Sequence, residues 1–238
     1  MRIAAISDIH GNLPALEAVL VEIDRERVDA IVVAGDTAHG PWAAEVVDLL
    51  VERGARCVRG NADREVIDRN DGFGPLAPWS ADRLGDRRLA VVADWPLTVE
   101  LSVEGLGETL VCHSTPTSDD PIYTRITPDE ELVVILDEVD ADVLVCGHTH
   151  MQYERILSSG LRVVNPGSVG TPYEGARGAY WALLGPDVEF RRTAYDVEGT
   201  VAAIEVLRVP VDARTLEQLL DPPDSESTTE YFESLRGT

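Results

Sequence analysis

Short apolar runs alternate with segments of helical period along the first sixty residues. Residues 2–7 form an apolar run that ends in polar side chains, which predicts a buried strand. Pro14 opens the next segment, where Leu16, Val19, Leu20 and Ile23 recur at helical spacing. A second apolar run at 29–34 predicts another buried strand. Residues 42–53 predict a helix carrying Val46, Val47, Leu49 and Leu50, and 55–59 a third short strand. Strand and helix in alternation are the pattern of βαβ units in a parallel sheet.

From residue 64 the texture changes. Residues 64–95 are dense in Arg and Asp, with Gly72, Gly74, Pro75 and Pro78 in the middle, and predict a helical insert laid over or beside the sheet. Residues 97–103 and 109–113, joined through Gly105 and Gly107, predict a hairpin. A helix is expected over 127–139, a fourth buried strand over 143–146, and two more hairpins over 152–164 and 179–195. Residues 196–220 have room for one or two helices. The Pro- and acid-rich end, 221–238, is expected to be a mobile tail. No repeat or long linker divides the chain, so 1–238 is expected to be one domain.

Charge narrows the function. The 238 residues carry 43 Asp and Glu against 20 basic residues, a formal charge of −23, and every basic residue is an arginine. This balance lacks the basic footprint that neutralises duplex nucleic acid. It has two readings: a solvated acidic face, or adaptation to a salt-rich cytoplasm that screens self-repulsion. The pairs Arg87-Arg88 and Arg191-Arg192 are read as solvated surface. A hydrophobic fraction of 44% is that of a folded chain, not a disordered acidic one. No apolar run reaches the ~18 residues of a transmembrane helix. The start, with Asp8 and His10, does not resemble a signal peptide. Cys57, Cys112 and Cys146 are too few and scattered for a disulfide framework, so a reducing, cytoplasmic location is expected.

The chemistry sits at strand ends. Asp8 and His10 follow the first predicted strand, Asp36 the second, Asn61 and Asp63 the third. His113 ends a hairpin strand, and His148 and His150 follow the strand at 143–146. Ligands of open α/β sheets bind at the carboxyl ends of strands, so these positions are expected to converge on one rim. Any single histidine is more often structural than a ligand, but four of the five hold equivalent positions. Imidazole, carboxylate and one carboxamide, without thiolate, suit Mn, Fe, Zn or Ni better than a structural zinc site.

Asp8-x-His10, Gly35-Asp36, Gly60-Asn61-x-Asp63, His113 and Gly147-His148-x-His150 stand in the order and spacing of the calcineurin-like metallophosphoesterases, which residues 2–195 resemble. The similarity is to the small prokaryotic phosphodiesterase-like branch, with His10-Gly-Asn-Leu-Pro and Asn165-Pro-Gly-Ser in agreement. It implies an αββα sandwich of two mixed sheets flanked by helices. It also implies two divalent metal ions, manganese foremost, with Fe, Zn or Ni as alternatives. Asp8, His10, Asp36 and His150 would hold one ion, and Asp36, Asn61, His113 and His148 the other. The implied reaction is hydrolysis of a phosphodiester or activated ester by in-line attack of a metal-bound hydroxide, with Asp36, Asn61 and Asp63 in the catalytic set. A small phosphate ester, a nucleotide among them, is the implied substrate; a phosphomonoester or dinucleoside polyphosphate is the alternative.

One position departs from the family's pattern. Many members read Gly-Asn-His where this chain reads Gly60-Asn61-Ala62, and Ala62 can donate no proton to a leaving group. His39 is the candidate substitute, against its reading as a surface-loop histidine. Asn12 is a candidate phosphate contact or a helix cap, and Arg64 a candidate phosphate partner or a partner of Asp63. Asp63 is expected to orient a ligand or water. Cys112 and Cys146 are read as buried small hydrophobes. Trp79 and Trp95 are read as packing residues, and Tyr173 as a loop aromatic, stacking or structural. Two rival readings differ in their ligands. A metal-binding scaffold that has lost catalysis is disfavoured by seven competent ligand positions. The metallo-β-lactamase type needs a His-x-His-x-Asp-His cluster that is absent.

Overall fold

Ile3–Ile6 (β1) shows how the core is built, because its four side chains are all buried but face two ways. Ala4 and Ile6 pack into one apolar cluster, Ile3 and Ala5 into another. Successive strand residues point to opposite faces, so β1 lies in a sheet covered on both sides. The computed structural model describes residues 1–70, 72 and 74–236.

β1 pairs in parallel with Ala30–Val33 (β2), which pairs in parallel with Arg56–Cys57 (β3). Leu13–Glu26 (α1) and Ala43–Glu52 (α2) make the crossovers. The sheet is completed from far along the chain. Ala179–Leu184 (β9) pairs antiparallel with β1, and Val188–Thr193 (β10) with β9, giving the order β10-β9-β1-β2-β3. Leu16, Val19, Val46 and Leu50 of the two helices pack on its outer face against Trp181. The buried indole Nε1 donates to Thr193 Oγ1 at 2.9 Å, the partner a buried tryptophan requires.

The second sheet contains Thr98–Val103 (β4), Gly107–Cys112 (β5), Val143–Val145 (β6), Gln152–Ile156 (β7) and Arg162–Pro166 (β8). Its order is β4-β5-β6-β8-β7, with β5, β6 and β8 parallel and the edge strands antiparallel. Val111, Val145 and Val164 of this sheet meet Ile3, Ala5, Val32 and Ala182 of the first in an apolar layer between the two. The outer face takes Leu132 and Leu136, from and just after Asp129–Ile135 (α5), against Leu110, Leu144 and Val163. Helix, sheet, sheet and helix are therefore stacked, with two mixed five-stranded sheets, as the resemblance implied.

The helical insert consists of Asn61–Asp68 (α3) and Leu76–Ala93 (α4), packed against α2 through Val47, Val66 and Leu84. Trp95 packs beside this cluster and the first one, and Trp79 packs against the C-terminal helices with Arg83 over its ring. All three cysteines are buried. Val197–Leu207 (α6) and Ala213–Leu220 (α7) fill the region read as one or two helices.

The expected mobile tail at 221–238 is corrected over its described part. Ser225–Leu235 (α8) is a docked helix. The Asp224 carboxylate accepts from the N–H groups of Glu226 and Ser227 and so starts the helix. Glu233 accepts from Thr124 Oγ1 at 2.6 Å and from Thr127, and Arg236 pairs with Glu131 and Glu233. The acidic residues that suggested solvation serve as a cap and an anchor. Gly237 and Thr238 lie outside the described residues.

Candidate metal centre

The site is built by the loops that leave β1, β2, β5 and β6, together with the start of α3. Backbone hydrogen bonds lace the loops together: Asp8 N–H to Gly35 O (3.0 Å), His10 N–H to Asp36 O (2.9 Å), Gly147 N–H to His113 O (2.9 Å). Two glycines permit the close approach. A Cβ on Gly60 would stand 2.2 Å from Asp36 Oδ1, and one on Gly147 would stand 2.0 Å from Ser7 Oγ and 2.7 Å from Asp8 Oδ2.

The backbone marks the site independently. Eight described non-glycine residues have positive φ. Three of them, Arg27, Arg69 and Arg208, are left-handed helix C-caps. The other five are Asp8 (52°), His10 (46°), Asp36 (53°), His148 (72°) and His150 (60°), all expected ligands. Few non-glycine residues adopt such conformations, Asn, Asp and His more readily than the rest, and they cluster where function overrides local preference.

Donor atoms of Asp8, His10, Asp36 and His150 lie within 4.8 Å of one another. His10 Nε2 faces His150 Nε2 at 3.2 Å, and His150 Nε2 faces Asp8 Oδ1 at 3.3 Å. His150 Nδ1 donates to Thr171 O at 2.7 Å, which leaves Nε2 as the lone-pair nitrogen of the neutral ring. Alongside, His113 Nδ1 donates to Ala34 O at 2.7 Å while its Nε2 faces Asn61 Oδ1 at 3.0 Å. In each pair, lone pairs point at one another, so a positive charge belongs between them, a proton or a metal ion.

Asp36 stands between the two groups. Its Oδ1 accepts from Ala62 N–H at 2.8 Å, and its Oδ2 lies 3.7 Å from His10 Nε2 and 3.5 Å from His113 Nε2. Burial, with Asp8 and Asp63 nearby, outweighs the pull of His113 and pushes the Asp36 carboxyl up to about 7. Burial pushes Asp8 upward too, but the charge and hydrogen bond of His150 hold it well below the carboxylate range. Burial depresses His10, and the charge of His150 adds to it. The carboxylates overcome burial at His113 and His150 and raise both. The donor set thus fits divalent cations: buried oxygens and imidazole nitrogens, oriented, carrying negative charge and short of a positive partner.

His148 stands beside this group, its ring 5.0 Å from that of His113. Its Nε2 donates to Asp120 O at 3.2 Å, leaving Nδ1 as the lone-pair nitrogen, and its N–H reaches both Asp8 oxygens at 3.2 Å. Burial and the charge of His113 lower it to about 3.

The other candidates divide. Asp63 does not touch a ligand side chain. Its buried carboxylate accepts from Thr37 N–H (2.9 Å), Ala38 N–H (2.8 Å) and Gly60 N–H (3.1 Å), clamping the loop after Asp36 to the turn before Asn61. Asn12 caps α1 through Ala15 N–H and donates to Gly170 O and the Tyr195 hydroxyl, so its polar atoms are engaged within the protein. Arg64 pairs with Asp119 and Asp120, and not with Asp63. His39 is no surface histidine. It borders the cavity over the site, its ring 6.0 Å from that of His10, and burial lowers it to about 4.

Tyr173 stacks on the His150 ring with centroids 4.9 Å apart and planes 11° from parallel, a contact its sequence neighbourhood did not specify. Asp119 and Asp120 were not singled out either. Their partner Arg64 lies 55 residues away, and nothing local signals the pairing.

Comparisons agree with this geometry. The sequence model of the calcineurin-like phosphoesterase superfamily domain matches residues 1–185. The phosphodiesterase YfcE of Escherichia coli K12 is 29% identical over 199 residues, 79% of this chain and 89% of that protein. The crystal structure of a metallophosphoesterase from Sphaerobacter thermophilus aligns with a TM-score of 0.75 at 28% identity, covering 93% of this chain and 98% of that one. A hypothetical protein from Pyrococcus horikoshii shares the fold, with a TM-score of 0.80 at 20% identity over 94% of this chain and 99% of that one. By sequence, fold and the gathering of the motif residues on one rim, this chain belongs to the calcineurin-like phosphoesterase superfamily, hydrolases acting on phosphoric esters.

Proposed function

We propose that this protein hydrolyses a phosphodiester at a centre of two divalent ions, manganese foremost. Asp8, His10, Asp36 and His150 would hold one ion, Asp36, Asn61, His113 and His148 the other, with Asp36 shared. The observation that carries the reading is the position of Asp36 Oδ2 between His10 and His113, one from each donor group. Two divalent ions supply Lewis acidity at both the attacking and leaving oxygens and a nucleophile at neutral pH.

The chain's own residues set the rest. Asn61 contributes a neutral oxygen, which keeps the rim positive enough for an anionic ester. Asp63 fixes the backbone on either side, so that Asp36 and Asn61 hold their separation. The leaving group gets little help. Ala62 offers no proton, and His39, lowered to about 4 by burial, is a neutral ring at pH 7. General acid assistance is typically worth ~10²–10⁴ in rate. Its absence favours esters whose alcohol departs unaided, and diesters over dianionic monoesters.

The test is metal reconstitution. Chelator-stripped protein is reloaded with Mn, Fe, Zn or Ni and assayed on bis(p-nitrophenyl) phosphate and on p-nitrophenyl phosphate. Metal-dependent turnover with the diester ahead by at least about tenfold is expected. Failure of every metal to restore diester turnover, or a preference for the monoester, overturns the proposal. Asp36→Asn should lose both bound ions and activity, and retention of both would remove Asp36 from its shared position.

A further inference from the structure

The cavity over the site is larger than a bare phosphate needs. It has a volume of about 620 Å³ and runs from His10, Asp36, Asn61 and His150 to the C-terminal helices. Cavities of this size hold drug-sized ligands. Its far wall comes from α6, α7 and α8, which lie beyond the 1–185 span matched by the family. Ile204, Val211, Leu216, Leu219 and Phe232 make that wall apolar.

Two features say what it accommodates. The first is charge. Among the described residues no arginine lines the cavity, the chain has no lysine, and the lining includes the carboxylates of Glu65 and Asp212. Arg214 of α7 is near enough for its charge to act on Tyr173 but does not line the cavity, so a second phosphate beyond the metal-held one would touch two carboxylates and no cation in the lining. The second is an aromatic path. Tyr173 stacks on His150 at the rim, and Phe232 follows with its ring 6.1 Å from that of Tyr173. Gln218 also lines this end, and its amide makes no hydrogen bond within the described protein. Aromatic faces with one free amide suit a flat, uncharged ring with a polar edge.

We propose that the substrate is a diester with a single phosphate and one nucleoside-like arm, and that α6–α8 select that arm. This inference rests on the phosphodiesterase reading above. The phosphate sits over the metal-ligand cluster, the ring lies along Tyr173 and Phe232 against Leu216, and Gln218 meets its polar edge. Substrates with a polyphosphate chain are disfavoured by the uncompensated charge.

Binding and turnover are measured separately. Calorimetry on the Mn-loaded protein compares thymidine 5′-(methyl phosphate) with dimethyl phosphate and with dithymidine pyrophosphate. The nucleoside diester should bind at least about tenfold tighter than either. Leu216→Ala and Gln218→Ala, both at partly exposed positions, should each lower the ratio of nucleoside to dimethyl affinity by about tenfold. Turnover of thymidine 5′-(p-nitrophenyl phosphate) against methyl p-nitrophenyl phosphate should show the same preference, mainly in KM. Equal affinities, a ratio untouched by both variants, or tighter binding of the pyrophosphate would overturn the inference even if both diesters are hydrolysed. Selective binding without hydrolysis of either diester would sustain the pocket and sink the hydrolytic reading.

Discussion

His148 offers a direct measure of what the rim costs the fold. Its φ is 72°, in the left-handed region. For a residue with a Cβ that region is unfavourable by ~1–2 kcal/mol, whereas glycine enters it freely. Glycine loses more chain entropy on folding, which opposes this by ~0.4–1 kcal/mol. His148→Gly should therefore leave the metal-free protein more stable than His148→Ala by about 1 kcal/mol. Both variants discard the same imidazole and so the same proposed metal ligand, and the backbone N–H to Asp8 survives in both. The difference thus isolates backbone strain. Val206, 82% exposed in α6, is the control. There alanine should exceed glycine by about 1 kcal/mol, the ordinary helical preference. Urea denaturation in excess chelator reads both pairs. A chain of this length should shift in Tm by about 2–4 °C per kcal/mol. Alanine equal to or above glycine at 148 would show that the left-handed backbone there carries no strain and so does not mark the site.

Three further outcomes are expected. Asp63→Asn keeps one acceptor but turns an N–H toward Gly60 N–H, so metal-free stability should fall by about 2–3 kcal/mol, read from the urea midpoint. A loss under 0.5 kcal/mol would mean the three backbone bonds do not hold the loops. Gly60→Ala drives a Cβ toward Asp36 Oδ1, so the purified protein should carry less metal by elemental analysis, at a stability cost of about 1–3 kcal/mol; full metal content would contradict the packing. Metal uptake should release protons, because Asp36, pushed up to about 7, and the raised His113 and His150 hold protons that a cation displaces. Apparent affinity should accordingly rise as pH rises through about 7. Calorimetry in buffers of different ionisation enthalpy checks this, and zero proton release at pH 6.5 would refute it.

The legible parts of the sequence were those whose signal is local. The runs at 2–7 and 29–34 and the helical spacing of Leu16, Val19 and Ile23 needed no tertiary information, and the strands and α1 followed within a residue or two. The motif residues were legible for the same reason, each just after a strand end, with His10, Asp36, Asn61 and His148 beside a glycine. What the sequence hid depends on distant partners. Glu233 and Arg236 looked like tail charges because their partners Thr124, Thr127 and Glu131 lie more than a hundred residues earlier. Arg64 looked free for phosphate because Asp119 and Asp120 are remote. His39 looked exposed because its loop gave no hint of the wall opposite. The left-handed backbone of the proposed ligand residues was not legible, since Asp and His enter that region more readily than most residues but still rarely.

Strain and charge together explain why the rim needs the rest of the molecule. Five side chains are held in left-handed backbone, and of three buried carboxylates, Asp8 and Asp63 stand close enough to Asp36 to raise it. Neither condition is self-sustaining in a loop. The interlayer core of Ile3, Val32, Val111, Val145 and Val164 fixes the strand ends. The Asp63 clamp fixes two loops to each other, and α8 pins the far side of the cavity through Glu233. Bound dications would reverse the sign of the potential at the rim. A chain of charge −23 would thus gain an anion-accepting mouth from a handful of its carboxylates, while those outside the site leave the chain acidic. The cavity lining repeats that division: the proposed metal-ligating groups at one end, and at the other an apolar wall with no arginine in the lining. With the proposed ions in place, a phosphate would be attracted only where they sit, and whatever hangs from it would have to be uncharged.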